Sequence, residues 1–265
     1  MPENPVPENT VLARAIDREA LVVGGRDAIT YLHSQLSNDI ASLGFGGSTH
    51  SFVLEPTGKV VALVRVTRLD AERLLVDFDP GLTEEVTARL LRFRIRVDVT
   101  FEPVVPSCVA VRSDDPIDAP VVDSATMVAL PAWWCDGRAW DVVSLDVAID
   151  PARFGTLVDV ETFEQRRIDV AWPMGGREIV AGETLPAATG VVALAVNFRK
   201  GCYPGQELVE RMDSRGATAP RVLRRIGAPA GARPGDSLRV DGDDVVLTSV
   251  AGDVALAYVR RGAND

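Results

Sequence analysis

Residues that bind metals or form disulfides are scarce in this chain of 265 residues. It has three cysteines and two histidines. Cys108, Cys135 and Cys202 lie far apart, without a C-x-x-C spacing, and His33 and His50 are not spaced as a ligand pair. An odd number of distant cysteines gives no disulfide framework, and a zinc site needs closely spaced ligands. We therefore expect neither a disulfide scaffold nor a self-contained metal site, and a Ser-His-Asp hydrolase has no support.

Long apolar runs are also missing. No run reaches the ~18 residues that a membrane-spanning helix needs. The first 18 residues are polar and lack the basic start and apolar middle of a secretory signal. We therefore expect a cytoplasmic protein without a membrane partner. The composition, 46% hydrophobic and 25% charged, is typical of globular domains, and the length suits more than one domain but fewer than three.

The net charge of −10 argues against nucleic acid as the main partner. The charge is uneven, because residues 199–225 hold seven basic and three acidic side chains, a local balance of +4. Such a basic segment suits a small anionic ligand, such as a carboxylate tail, or an acidic partner surface. The alternative is a solvated surface strip with no partner.

Apolar periodicity and turn residues predict an α+β fold. The predicted helices are 9–18, one that starts at 26, 83–93, 151–158, 161–168 and 207–212. The predicted strands are 21–23, 51–54, 59–69, 73–78, 95–101, 108–112, 126–130, 140–145, 221–227, 237–240, 245–250 and 254–260. The pattern changes after Pro220, which predicts a body of residues 1–219 and an all-β module of residues 220–265, expected to be a small barrel.

The segment Arg199–Glu207 combines a thiol, a cation, a phenol, an amide and a carboxylate within nine residues. Tyr203-Pro204-Gly205-Gln206 is typical of a tight turn, since proline pre-sets one dihedral angle and glycine tolerates a positive φ. Cys202 would then precede a helix N-terminus, close to Lys200 and Arg199. Both features stabilise a thiolate over a thiol. The alternative is a structural corner in which Cys202 is a small buried apolar residue.

The string Lys200-Gly201-Cys202-Tyr203-Pro204-Gly205-Gln206-Glu207 resembles the signature of the YgfZ family of folate-binding proteins. That family is related to the glycine-cleavage T-protein and is implicated in iron–sulfur cluster assembly or repair. Further segments are similar to the family pattern: 35–40, the hairpin at 54–59, Arg167-Ile168-Asp169, Leu185-Pro186 and the final strands. The resemblance implies two α+β subdomains around a central folate cavity, followed by a C-terminal β-barrel. It also implies tetrahydrofolate or another reduced folate as the ligand.

The resemblance also implies roles for individual residues. Cys202 and Lys200 would be the reactive residues of the loop. The folate-binding residues would be Arg199, Asp169, Tyr203, Gly205, Gln206 and Glu207. The partners would be iron–sulfur client proteins or cluster-assembly factors.

Two departures from the T-protein pattern count against aminomethyltransferase activity. The T-protein has a catalytic aspartate after its hairpin glycine, where this chain has Ala62-Leu63. The glutamate that contacts the pterin is here Asp169, which is one methylene shorter. We therefore favour a folate-binding accessory protein over a folate-dependent aminomethyl- or methyltransferase. A pure scaffold, in which the loop is structural and the basic segment binds a partner, is the third hypothesis.

Overall fold

The computed structural model describes residues 10–214 and 219–262, which form a mixed α+β structure. The strands are β1 (Leu12–Ala15), β2 (Glu19–Gly24), β3 (Ser48–Leu54), β4 (Val60–Arg68), β5 (Arg73–Phe78), β6 (Thr100–Val104), β7 (Ser107–Arg112), β8 (Val128–Pro131), β9 (Ala139–Ser144), β10 (Thr156–Leu157), β11 (Arg221–Gly227), β12 (Ser237–Val240), β13 (Asp243–Ala251) and β14 (Val254–Arg260). The helices are α1 (Ala28–Gln35), α2 (Thr83–Leu91), α3 (Val160–Asp169), α4 (Val192–Ala195) and α5 (Gln206–Ser214), with 3-10 turns at Pro151–Arg153 and Pro186–Ala188.

The chain divides into two compact units. The first unit contains the described residues 10–18 and Val105–Phe163. Its sheet has the order β10-β1-β7-β9-β8, and Ala13, Val109, Val111 and Val142 form its core. The second unit contains Glu19–Val104 and the described residues from 164 onward.

The main sheet of the second unit is antiparallel, in the order β3-β4-β5-β2-β6. Its strands are rich in β-branched and apolar residues that alternate between the two faces. One face packs with α1 and α2 through a core that includes Leu21, Leu32, Val64 and Val86, all fully buried. The tight β3–β4 hairpin places its turn, residues 55–58, at one end of this sheet.

The second unit also contains an antiparallel sheet of four strands in the order β11-β14-β13-β12. No pairing between β11 and β12 closes it within the described residues, so a barrel is not confirmed. The boundary predicted at residue 220 stays a prediction. Across 10–214 and 219–262, no helix combines the length and apolarity needed to cross a bilayer.

Most strand predictions are confirmed to within a few residues, but two predicted helices are wrong. The described part of 9–18 contains strand β1, which pairs with β7 on one side and β10 on the other. Residues 151–158 form a 3-10 turn followed by β10. Both errors have the same cause. These short segments gain backbone hydrogen bonds from distant strands, which local apolar spacing does not reveal.

A predicted strand at 95–101 is mostly wrong as well. Residues 92–99 are irregular and largely exposed, and the strand β6 begins only at Thr100. Arginine alternates with apolar residues here, as in a strand that has one solvent-facing and one buried face. In the structure, however, Phe93 and Ile95 are exposed together with their arginine neighbours.

Candidate functional site

The loop between α4 and α5 presents its cysteine to solvent. Cys202 is exposed, as is Cys135 in the first unit, whereas Cys108 is buried. The interpretation of Cys202 as a small buried apolar residue is therefore wrong. Its helix, α5, begins at Gln206, so the thiol precedes the helix N-terminus as predicted.

Lys200 fixes the start of this loop to the end of α1. Its Nζ donates hydrogen bonds to the carbonyl oxygens of His33 and Leu36, the latter at 2.6 Å. A cation is favourable there because the last carbonyls of a helix carry partial negative charge. Burial lowers the pKa of Lys200 to about 8, while the charges of Asp39 and Cys202 oppose that shift. Lys200 thus holds the loop in place and lies close enough to Cys202 to interact with it electrostatically.

Two glycines fix the other end of the loop through direct backbone contact. Gly205 and Gly58 both have φ of +87°. A Cβ on Gly205 would lie 2.5 Å from the carbonyl oxygen of Glu55 and 2.9 Å from the Cα of Gly58. A Cβ on Gly58 would lie 2.4 Å from the Cβ of Leu208 on α5. The positive φ that the turn motif predicts is present, and Gly205 serves to seat the loop on the hairpin turn.

Tyr203 and Gln206 stabilise the turn from within. The Tyr203 backbone N–H donates to Oε1 of Gln206 at 3.1 Å, so this amide is used inside the loop. The Tyr203 ring is buried, with Lys200 Nζ 5.1 Å from its centroid. Burial, followed by the charges of Glu210 and Glu207, raises the pKa of Tyr203 to about 12. Its hydroxyl has no hydrogen-bond partner among the described residues.

The segment from Ser37 to Asn38 supports the chain that leads into the loop. The Ser37 hydroxyl donates to the carbonyl of Ala195 at 2.7 Å, and the Asn38 amide donates to that of Leu194 at 2.9 Å. The backbone N–H of Asn197 in turn donates to the carbonyl of Ser37 at 3.0 Å. This contact gives a physical role to the polar residues that follow α1, which the family resemblance had singled out.

The remaining predicted folate-binding residues are all exposed, and their role in folate binding stays a prediction. Arg199 and Glu207 are exposed. Asp169 is also exposed, and its Oδ1 accepts a hydrogen bond from Nε of Arg225 on β11 at 2.7 Å. No hydrogen bond or ion pair connects Asp169 to residues 199–207 in the described structure. The basic segment is likewise divided, since Lys200 contacts α1, Arg225 is paired, and Arg215 lies outside the described residues.

A buried ionic network that the sequence analysis missed lies in the same unit. Arg167, on α3, has 1% of its surface exposed. Its guanidinium donates to Glu164, to Oε2 of Glu178 at 3.0 Å and to the Ser249 hydroxyl at 2.6 Å. Burial alone would lower the pKa of Arg167, but the hydrogen bond to Glu164 and the charge of Glu178 raise it. The network fixes the segment around residue 178, upstream of the loop, to the C-terminal sheet.

The hairpin strand carries no acid where a T-protein would need one. Ala62 is fully buried and Leu63 is nearly so, both within the apolar strand β4. Both positions are therefore apolar, and the absence of aminomethyltransferase activity stays a prediction. The described residues also contain no group of three or more His, Cys, Asp and Glu side chains that could hold a metal ion.

The predicted folate donor set fits a pterin only in part. A pterin ring needs carboxylate or amide groups that pair with its N–H edge. Asp169 and Gln206 already have partners within the chain. Tyr203 is the one member of the predicted set that combines burial with an unmet hydrogen bond. The Tyr203 hydroxyl is sealed from solvent, whereas the Asp169 carboxylate is exposed and pairs with Arg225 through one oxygen.

The fold is that of the glycine-cleavage T-protein. The crystal structure of glycine cleavage system aminomethyltransferase T from Bartonella henselae matches with a TM-score of 0.72, covering 96% of this chain and 79% of that one. The sequence identity is 15%, so this similarity defines the fold alone.

Sequence relatives are more specific. The mitochondrial iron-sulfur cluster assembly factor IBA57 homolog of Mycosarcoma maydis is 26% identical over 241 residues, which is 86% of this chain and 60% of that protein. Its Neurospora crassa counterpart is 25% identical over 84% of this chain and 55% of that protein. The chain thus spans a little more than half the length of these relatives. No family model matches it.

Proposed function

We propose that this protein supports the assembly or repair of iron–sulfur proteins by presenting the Cys202 thiol on a fixed loop. The observation that carries the proposal is the geometry of that loop. Cys202 is exposed, while Lys200 and Gly205 on either side are anchored to α1 and to the hairpin turn. A thiol held in this way is accessible to a partner and lies between two anchored residues of the loop.

The relatives support this assignment, because a mitochondrial iron-sulfur cluster assembly factor matches most of the chain. One thiol cannot hold a cluster by itself, so a partner must supply the other ligands. The partners are therefore iron–sulfur client proteins or cluster-assembly factors. A cytoplasmic location is part of the proposal.

The decisive test is complementation of cells that lack the protein, with the activity of an iron–sulfur enzyme such as aconitase as the measurement. Cys202→Ala should fail to restore activity. Cys135→Ala is the matched control, because it also removes an exposed thiol, and it should restore activity fully. Complete rescue by Cys202→Ala would remove the thiol from the mechanism.

A reduced folate is the proposed ligand, by analogy with the T-protein fold. Isothermal titration calorimetry with tetrahydrofolate tests this directly. Asp169→Asn, which removes the charge of an exposed predicted folate ligand, should weaken binding about tenfold or more, because a hydrogen bond to a charged group contributes about 1.5–3 kcal/mol. If the parent protein releases no heat with tetrahydrofolate under any condition, the scaffold hypothesis takes its place.

A folate-dependent aminomethyltransferase is the second candidate, favoured by the fold but opposed by Ala62 and Leu63. Without a carboxylate there, the reaction lacks its electrostatic or proton-transfer group. Turnover of an aminomethyl donor with tetrahydrofolate, abolished by Asp169→Asn, would establish this activity.

A further inference from the structure

An exposed segment after α2 alternates arginine with large apolar side chains. We call Leu91–Arg96 the arginine strip; its sequence is Leu-Arg-Phe-Arg-Ile-Arg, and every residue is exposed. The apolar members Leu91, Phe93 and Ile95 are 41%, 38% and 72% exposed. Exposed apolar side chains that cluster in this way mark interaction surfaces.

The strip is positively charged within an acidic protein. Together with Arg89, which lies just before it, the strip belongs to a segment, residues 89–97, that has four arginines and no carboxylate. This segment carries a charge of +4 and the rest of the chain carries −14, which gives the net charge of −10. Arg92 has one acidic neighbour, Glu55, at 3.6 Å. Arg94 and Arg96 have no ion-pair partner in the part of the chain that the structure describes.

A buried guanidinium strengthens the positive field of the strip. Arg89 is 4% exposed and donates to two neutral acceptors, the Leu54 carbonyl at 2.5 Å and Gln35 Oε1 at 3.3 Å. Its Nη2 has no hydrogen-bond partner among the described residues. Arg89 and Arg92 share the nearby charge of Glu55, so two guanidinium groups here face one carboxylate. An anionic surface placed over the strip would therefore be attracted by a net positive charge.

The aromatic residue of the strip is held in place at the surface. The guanidinium carbons of Arg89 and Arg92 lie 5.0 and 5.7 Å from the centroid of the Phe93 ring. Such stacking holds the ring at the surface. A long nucleic acid is disfavoured as the occupant, because it would extend from the strip onto the acidic remainder of the chain.

The strip is connected to the Cys202 loop through one turn. Arg92 pairs with Glu55, the first residue of the hairpin turn. The carbonyl oxygen of Glu55 is one of the atoms against which Gly205 is packed. A partner on the strip would therefore contact the structural element that also seats the loop.

We propose that the arginine strip is the docking surface for the iron–sulfur partner protein, and that the partner contacts it with an acidic surface that also exposes apolar side chains. The partner class rests on the proposed function. Charge complementarity and the exposed apolar side chains determine the chemistry of the occupant, and the shared hairpin turn brings it to the Cys202 loop.

Fluorescence anisotropy tests the docking surface with a labelled peptide of about eight residues that alternates glutamate and leucine. Arg94→Glu/Arg96→Glu should bind this peptide at least tenfold more weakly than the parent protein, and added salt should weaken parent binding. Arg233→Glu/Arg239→Glu is the matched control, because it makes the same charge change at exposed positions in and beside the C-terminal sheet, outside the basic segment 199–225. It should bind within twofold of the parent.

The apolar contribution has its own comparison. Ile95→Ser should weaken peptide binding, while Val246→Ser, at an exposed position of the C-terminal sheet, should not. A peptide that alternates glutamate and serine should bind the parent more weakly than the leucine peptide. Equal binding of the two peptides would overturn the apolar part of the proposal.

Three results would overturn the docking surface. The first is binding of the strip variant within twofold of the parent. The second is strip-dependent binding to phosphatidylserine vesicles without binding to the peptide. The third is self-association of the parent, measured by sedimentation, that the strip variant abolishes. Peptide binding does not require the thiol, so full rescue of cells by Cys202→Ala would refute the proposed function while leaving this measurement intact.

Discussion

Replacing Gly205 with alanine should destabilise the protein strongly, although it adds only one methyl group. Two separate costs arise at this position. The backbone has φ of +87°, where an L-residue with a Cβ is strained by roughly 1–2 kcal/mol. The new Cβ would also lie 2.5 and 2.9 Å from backbone atoms of residues 55 and 58, which cannot rotate away. Overpacking of this kind costs about 1–3 kcal/mol. We expect a total loss of about 2–5 kcal/mol in the free energy of unfolding.

Two neighbouring glycines separate these costs. Gly190 has φ of +81° but open space around its Cβ position, so Gly190→Ala should cost only the strain, roughly 1–2 kcal/mol. Gly201 lies in the same loop as Gly205, with no positive φ and no atom within 4 Å of a Cβ. Gly201→Ala should therefore change stability by less than about 0.5 kcal/mol. Urea unfolding with a common m value measures all three variants.

The reasoning fails if Gly205→Ala and Gly190→Ala lose the same stability, because the backbone contact would then contribute nothing. It also fails if Gly201→Ala is as damaging as Gly205→Ala. Gly58→Ala provides an internal check, since it disrupts the same contact from the other side. The double variant Gly58→Ala/Gly205→Ala should cost clearly less than the sum of the single variants.

Three further changes test other parts of the structure. Lys200→Met should cost less near pH 7 than the about 1–3 kcal/mol expected for the loss of a charged donor to two helix-end carbonyls, because it also removes a buried charge. The pKa of Lys200 is lowered from 10.5 to about 8 in the folded protein, so the unfolded chain binds more protons between these two pH values. As the pH rises from 8 to 10, the stability of the parent should therefore increase relative to that of Lys200→Met. Arg167→Met should lower the free energy of unfolding by about 3–5 kcal/mol, because it leaves a buried carboxylate unpaired. Arg177→Met, at an exposed ion pair, should lower it by less than about 1 kcal/mol. Equal losses for the two variants in urea unfolding would contradict the buried network. The Thr83 hydroxyl lowers the pKa of Glu19, and this interaction stabilises the fold above pH 4.5 and progressively less as the pH falls. The stability of Thr83→Val should therefore decrease less than that of the parent when the pH is lowered below 4.5.

Local sequence signals were sufficient for the loop that carries Cys202. The turn residues and the apolar spacing of Leu208 and Met212 predicted a turn followed by a helix, and α5 begins at Gln206. The positive φ at Gly205 follows from the same turn chemistry. These features depend on residues close together in the chain, which is why pattern reasoning finds them.

The hydrogen-bond or ion-pair partner of each polar side chain could not be predicted in this way. Lys200 donates to carbonyls that lie more than 160 residues earlier in the chain, at residues 33 and 36. Asp169 pairs with Arg225, where the family resemblance implied a ligand contact. Such partners depend on how distant elements pack, and no local spacing encodes them.

One missed feature did leave a signal in the sequence. Arg65 lies among β-branched residues in β4, where a lone charge on a buried strand needs a partner. Its partner is Asp77, in the apolar strand β5, with two hydrogen bonds of 3.0 Å between fully buried groups. Two opposite charges in adjacent apolar strands predict such a pair, and a search for them would have found it.

Arg167 depends on residues that are made much later in the chain. Its partner Ser249 follows 82 residues behind it, and the Tyr258 hydroxyl that binds the Glu178 carbonyl follows that residue by 80. At roughly 5–20 residues per second, a ribosome needs about 4–16 s to add this stretch. During that interval Arg167 can pair with Glu164 and Glu178 but not with the Ser249 hydroxyl. The segment around residue 178 is not yet hydrogen-bonded to the last sheet. Cys202 therefore leaves the ribosome before the last sheet is made, although the residues that seat its own loop, at the end of α1 and in the hairpin turn, precede it in the chain.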